Sequence, residues 1–210
     1  MRSNARSGGI VRMATAKRIT VVAATGIEAR AAKAAVGNRA QVIQSGIALR
    51  GLRGDPGPIV MSCGLAGGLR DDLPTGTVLI PSQVRRPDGT MLTCDPELTA
   101  LLVRAARAAG CDPVEAPLLT TERIVRGPER MHWAQQGYAG ADMETGLLQG
   151  PRIACVRVIL DTPMHEFSAA WENPALVIFR PDAWFDIPFL AREAPRCAAL
   201  AAKIVAGALP

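Results

Sequence analysis

Short apolar runs alternate with helical patterns along this chain, and that alternation restricts it to an α/β architecture. RITVVAA (18–24) reads as a buried strand, followed by the turn TG and a helix carrying Glu28 and Arg30. GPIVMSC (57–63) and TGTVLIP (75–81) read as strands on either side of a glycine-rich loop, Gly64–Gly68. DPELTALLVRAARAAG (95–110) is the clearest helix. Asp95 caps it, Pro96 fits its first turn, Gly110 ends it, and Leu98, Leu101, Leu102 and Ala105 share one face. VEAPLLTTERIV (114–125) reads as extended chain broken by Pro117, and GPERMHWAQQGY (127–138) as a short surface helix. GADMETGLLQG (140–150) runs from a strand end into a helix, and RIACVRVILD (152–161) is the last strong strand. PFLAREAPRCAALAAKIVAGAL (188–209) is a closing helix, expected to kink or break at Pro195.

At 210 residues the chain suits one domain with a core on both sides of a sheet. The formal charge of +5 comes from the first eighteen residues, where Arg2, Arg6, Arg12, Lys17 and Arg18 meet no acid. The remainder holds 19 basic and 19 acidic residues, so no nucleic-acid-binding face is expected. Residues 1–17 are expected to be a disordered basic extension, with Met13 as an alternative start, and residues 18–210 the domain. No segment approaches the roughly 18 apolar residues of a membrane span, and no signal-peptide core precedes the domain. Cys63, Cys94, Cys111, Cys155 and Cys197 are scattered, which suits small core residues in a reducing cytoplasm. His132 and His165 have no metal-ligand spacing, so neither a metal site nor a Ser-His-Asp triad is expected.

The glycine stretch matches neither GxGxxG nor GxxxxGK[ST], which counts against a dinucleotide-dependent oxidoreductase. Its glycines would let backbone N–H groups approach phosphate or ribose oxygens. Glu28, Glu144 and Asp161 all stand just past predicted strand ends, where open α/β sheets bind ligands. Each alone has an ordinary explanation as a cap or a partner for a helix dipole. Together they suit cleavage of an N-glycosidic bond. One acid would serve the departing base, a second the ribose hydroxyls and the developing positive charge, and a third a water molecule.

AATGIEAR (23–30), IQSGIA (43–48), CGLAGGL (63–69), ADMET (141–145) and RVILD (157–161) follow one another in an order that resembles the nucleoside phosphorylase and nucleosidase superfamily. The methylthioadenosine/S-adenosylhomocysteine nucleosidases look closest in motif. The resemblance implies a single domain with a mixed central sheet flanked by helices, no cofactor, and a homodimer. It further implies that Glu28 activates water, Met143 packs on the nucleoside and Glu144 binds the ribose hydroxyls. Asp161 would be the acid at the purine with Arg157 as its nearby partner, and Gly67 would belong to the substrate-binding loop. TTERIV (120–125) aligns more loosely, placing the backbone of Ile124 or Val125 on the purine edge.

Three departures accompany the resemblance: Leu65 replaces a hydroxyl residue, Leu160 a serine, and Ile124 a stacking aromatic. The segment between Ser45 and Gly57 is also short. That pattern resembles the hopanoid-associated branch, which implies a 5′-substituted adenosine such as adenosylhopane. Trp171, Phe179, Trp184, Phe185 and Phe189 would then form an entrance or membrane-touching rim, or else simply cover the core. Arg30, Arg157 and the loop amides could bind phosphate, which keeps phosphorolysis open beside hydrolysis. A carboxylate at position 28 repels phosphate and favours water. A nucleoside- or lipid-binding relative that lost the chemistry is the non-enzymatic alternative.

Overall fold

The computed structural model describes residues 19–167 and 186–210. Its strands are β1 (Ile19–Ala23), β2 (Gln41–Gln44), β3 (Ile59–Gly68), β4 (Val78–Leu79), β5 (Gln83–Arg85), β6 (Met91–Thr93), β7 (Leu118–Thr120), β8 (Gly140–Asp142) and β9 (Arg152–Asp161). The helices are α1 (Gly26–Val36), α2 (Pro96–Ala108), α3 (Pro128–Gln135) and α4 (Ile187–Ala208). The strands form one mixed sheet. Its main path runs β2-β1-β3-β8-β7-β5-β6, and β9 lies between β3 and β4.

The framework of the sheet is the parallel pairing of β3 with β1 and with β9. Both long strands are buried along almost their entire length, so each reads as a continuous apolar run. One face packs on α1, α2 and α4 through Val21, Met61, Val156 and Val158 against Leu102, Ala201 and Ile204. The alanine-rich face of α4 permits close approach: a Cβ added at Gly207 would stand 3.2 Å from that of Ala105. Pro195 neither breaks nor ends α4. Residues 191 and 195 are exposed, so water can satisfy the carbonyl that the missing N–H leaves free.

α2 matches the sequence reading, with the Asp95 side chain accepting from the Leu98 amide at 2.9 Å and Gly110 at φ +84°. TGTVLIP contributes only the two ladder residues of β4, antiparallel to β9. The glycine stretch is not a loop. β3 continues through it, pairing with β9 as far as Gly67 and with β8 at Gly67 and Gly68. Ser45 to Gly57 carries one 3-10 turn, Ile47–Leu49. The disordered extension expected at 1–17 lies outside the described residues, as do Trp171, Phe179, Trp184 and Phe185. Phe189 is partly buried, 5.8 Å from Phe167 and 4.2 Å from His165 between ring centroids. No helix among the described residues is long and apolar enough to cross a membrane.

Candidate active site

A cavity of about 240 Å³ opens at the carboxyl ends of β1, β3, β8 and β9. Glu28, Glu144 and Asp161 all line it, together with Gly67, Met143, Ile124 and Val125. These seven predicted residues, far apart in sequence, are neighbours because each follows or closes an element whose end meets the cavity.

Glu28 sits in the first turn of α1 and performs the ordinary helix task as well. The Thr25 hydroxyl accepts from the Glu28 amide at 3.3 Å, while Glu28 Oε2 accepts from the Thr25 amide at 2.7 Å and its hydroxyl at 2.8 Å. This reciprocal box fixes the carboxylate's direction. Its other oxygen accepts from the Leu65 amide on β3 at 2.8 Å. A Cβ at Gly64 would lie 2.3 Å from Glu28 Oε1 and 2.5 Å from Arg157 Nη1. At Gly67 it would lie 3.1 Å from Asp161 Oδ1. The glycines thus leave room for the site's own charged side chains, rather than exposing a cradle of free amides.

Arg157 departs from expectation. It is fully buried beneath the cavity and does not line it. Its Nε donates to Asp142 Oδ2 at 2.9 Å, and its Nη2 donates to Ser62 and Thr145 hydroxyls, both at 2.8 Å. Its partner is therefore Asp142, not Asp161. Four residues along a strand span roughly 13 Å, which puts Asp161 beyond its reach. Asp142 also accepts from Thr120 Oγ1 at 2.6 Å and from the Thr145 amide at 3.1 Å. Both members of the buried ion pair thus hold further hydrogen-bond partners beyond each other.

Glu144 lies above this network, 4.0 Å from Arg157 Nη2, and accepts from the Ala48 amide at 3.1 Å. Ala48 and Leu49 adopt φ of 52° and 55°, a strained left-handed conformation for residues with side chains. Burial, reinforced by the negative charge of Asp142, pushes Glu144 up to about 7; Arg157 and the Ala48 amide pull the other way. Between the ordinary value of 4.5 and 7, the folded chain keeps a proton that the unfolded chain has lost. Stability therefore falls as pH rises through that window and stays lower above it. Glu144→Gln is expected to raise Tm by several degrees above pH 7 and to leave it nearly unchanged below 4.5. The penalty removed is at most about 3 kcal/mol. Thermal melts at the two pH extremes check this; an equal change at both would contradict it.

Asp161 closes β9 and is buried. Burial raises its carboxyl above the usual range, against the pull of an ion pair with Arg130 of α3. Arg130 is 2% exposed, so α3 is not merely a surface helix. Sequence reasoning missed Arg130 and Asp142. Asp142 had a usable signal, lying inside ADMET two positions before Glu144, whereas Arg130 had none in a short polar helix.

A mixed α/β sheet that gathers carboxylates at its strand ends defines a class of proteins that bind small molecules there. The chain belongs to the phosphorylase superfamily, a superfamily of enzymes, whose sequence model matches residues 13–206. Among solved structures it is similar to a Neisseria meningitidis 5′-methylthioadenosine/S-adenosylhomocysteine nucleosidase in complex with methylthio-immucillin-A. That likeness has a TM-score of 0.69 at 19% identity and covers 92% of this chain and 98% of that one. Futalosine hydrolase of Helicobacter pylori (a mutant) gives a TM-score of 0.67 at 15% identity, with 92% and 98% covered. An S-adenosylhomocysteine nucleosidase of Streptococcus pyogenes in complex with 5-methylthiotubericidin gives 0.68 at 14%, with 93% and 97% covered. No curated protein sequence matches the chain.

Proposed function

We propose that this enzyme hydrolyses the N-glycosidic bond of a purine nucleoside, releasing the base to water. Asp161 donates a proton to the purine ring, and the bond from the sugar's anomeric carbon to the base breaks. Glu144 holds the ribose hydroxyls and balances the oxocarbenium-like sugar. Glu28 takes a proton from water as its oxygen adds to that carbon. Met143 packs on the nucleoside, and the backbone at Ile124 or Val125 meets the purine edge.

One observation carries water over phosphate: each candidate anion-binding group is committed elsewhere. Arg30 is exposed, bonded to the Gly26 carbonyl at 3.1 Å, and outside the cavity. Arg157 lies beneath the cavity in the Asp142 network, and the Leu65 amide is taken by Glu28. Of the arginines on the wall, Arg123 pairs with Glu129 at 2.8 Å and Arg130 with Asp161. Phosphate would enter among Glu28, Asp142 and Glu144 with no uncommitted cation among these described groups. The presence of Glu28, Glu144 and Asp161 together on the cavity wall also counts against a non-catalytic nucleoside- or lipid-binding relative.

The substrate is a 5′-substituted adenosine such as adenosylhopane. Support comes from the family resemblance, the apolar lining at Ile47, Leu65, Leu69, Leu160 and Phe167, and the short Ser45–Gly57 segment. The enzyme works in the cytoplasm as a homodimer, with membrane contact only at its periphery. Ile27, an exposed apolar residue beside the Thr25–Glu28 turn, supports cover by a neighbouring subunit. Incubation with adenosines differing only at the 5′ position tests the substrate. Adenine release is expected to be fastest with a large apolar 5′ group; equal rates with unsubstituted adenosine would contradict that choice.

A further inference from the structure

We propose that Arg130 is a positioning residue for Asp161, pinning one carboxylate oxygen so that the other stays at the cavity wall, with Glu166 balancing the arginine from behind. The inference deepens the functional reading above and rests on Asp161 as the acid. Arg130 is a charged side chain buried in the wall between the cavity and a shallow outer groove, both of which it lines. Its three nitrogens are spent on three fixed partners. Nη1 donates to the Gly68 carbonyl at 2.5 Å, and Nη2 pairs with Asp161 Oδ2. Nε stands 3.0 Å from Glu166 Oε1, close enough for attraction although not aligned as a hydrogen bond. Glu166 is itself held by the Gly127 amide at 2.7 Å, at the start of the helix that carries Arg130. A planar guanidinium gripped at three points fixes direction in a way that a flexible ammonium cannot.

The result is a line of alternating charge, Glu166, Arg130, Asp161, ending at the reacting base. Asp161 Oδ2 is engaged, while Oδ1 lies beside Gly67 on the cavity wall. Among the described residues, the charged groups around Asp161 are few. Arg130 reaches it from α3 and Glu166 from the segment after β9, while β3 presents only Gly67 and Gly68. Glu28, Asp142, Glu144 and Arg123 line other parts of the same cavity. Arg130 lowers the proton affinity of Asp161, and the negative charge of Glu166 raises it. The two neighbours therefore act in opposite directions on the same proton.

That opposition supplies a readout that a merely structural role would not move. The alkaline limb of kcat marks loss of the proton from the acid in the bound complex. Arg130→Met is expected to move that limb upward by about one unit and to lower kcat by on the order of 10–100-fold, with a smaller change in KM. Arg130→Lys should restore the limb more fully than it restores kcat, because charge returns without the fork. Glu166→Gln should move the limb downward. If Arg130→Met does not fold, the lysine and glutamine variants carry the test. Limbs that stay put in folded variants, or a rise in KM with kcat unchanged, would overturn the inference. An inactive Asp161→Asn enzyme with unmoved limbs removes this inference alone. A fully active Asp161→Asn enzyme removes the functional reading, and this inference with it.

Discussion

Asp161→Asn is expected to abolish release of the purine while leaving the protein folded. An asparagine of the same shape can still point at the base, but its amide cannot surrender a proton to the ring. Loss of a general acid typically costs on the order of 10²–10⁴ in rate. The substitution also removes the carboxyl group facing Arg130. Breaking a buried ion pair often destabilises, because it leaves a buried charge uncompensated. Here Arg130 keeps Glu166 at 3.0 Å and the Gly68 carbonyl at 2.5 Å, so the remaining charge stays balanced. Circular dichroism and a thermal melt beside the activity assay separate the two effects. Near-full activity in the folded variant would remove Asp161 from the acid role.

Among the described glycines, Gly64→Ala is expected to be the most damaging substitution. Its Cβ would fall within 2.5 Å of both Glu28 Oε1 and Arg157 Nη1. The charged ends would have to move, yet neither is free to do so. Glu28 is tied to Thr25 and Leu65, and Arg157 to Asp142, Ser62 and Thr145. Displacement of a reacting group by about 1 Å can cost roughly 10²-fold in rate. Overpacking in a well-filled interior costs about 1–3 kcal/mol of stability as well. Activity and Tm should therefore fall together, whereas Gly110→Ala, at a remote helix end, should touch only Tm. A Gly64→Ala enzyme with unaltered rate would mean that Glu28 is not held where the reaction needs it.

The sequence carries β1, β9, α1 and α2 openly, because long apolar runs and capped amphipathic helices have periods that can be read. β2, β5 and β6 are three or four residues long and partly exposed, too short for any period to emerge. The end of β3 was hidden for a different reason. Consecutive glycines ordinarily punctuate a chain, but here the ladder with β9 continues through them while Glu28 and Asp161 occupy the space of the missing side chains. The three carboxylates were legible because motif and strand end coincide at each. Arg130 was not, since a buried arginine and a solvated one are the same letter. Arg157 was assigned the wrong partner: the resemblance of RVILD to the family motif implied Asp161, whereas the pairing of strands delivers Asp142.

The sugar product formed in the presence of phosphate tests the central claim most directly. A 5′-substituted adenosine, turned over in phosphate buffer, is expected to yield free adenine and the free sugar, at the same rate as in phosphate-free buffer. Accumulation of the sugar 1-phosphate, or a rate that vanishes without phosphate, would contradict hydrolysis by Glu28, Glu144 and Asp161.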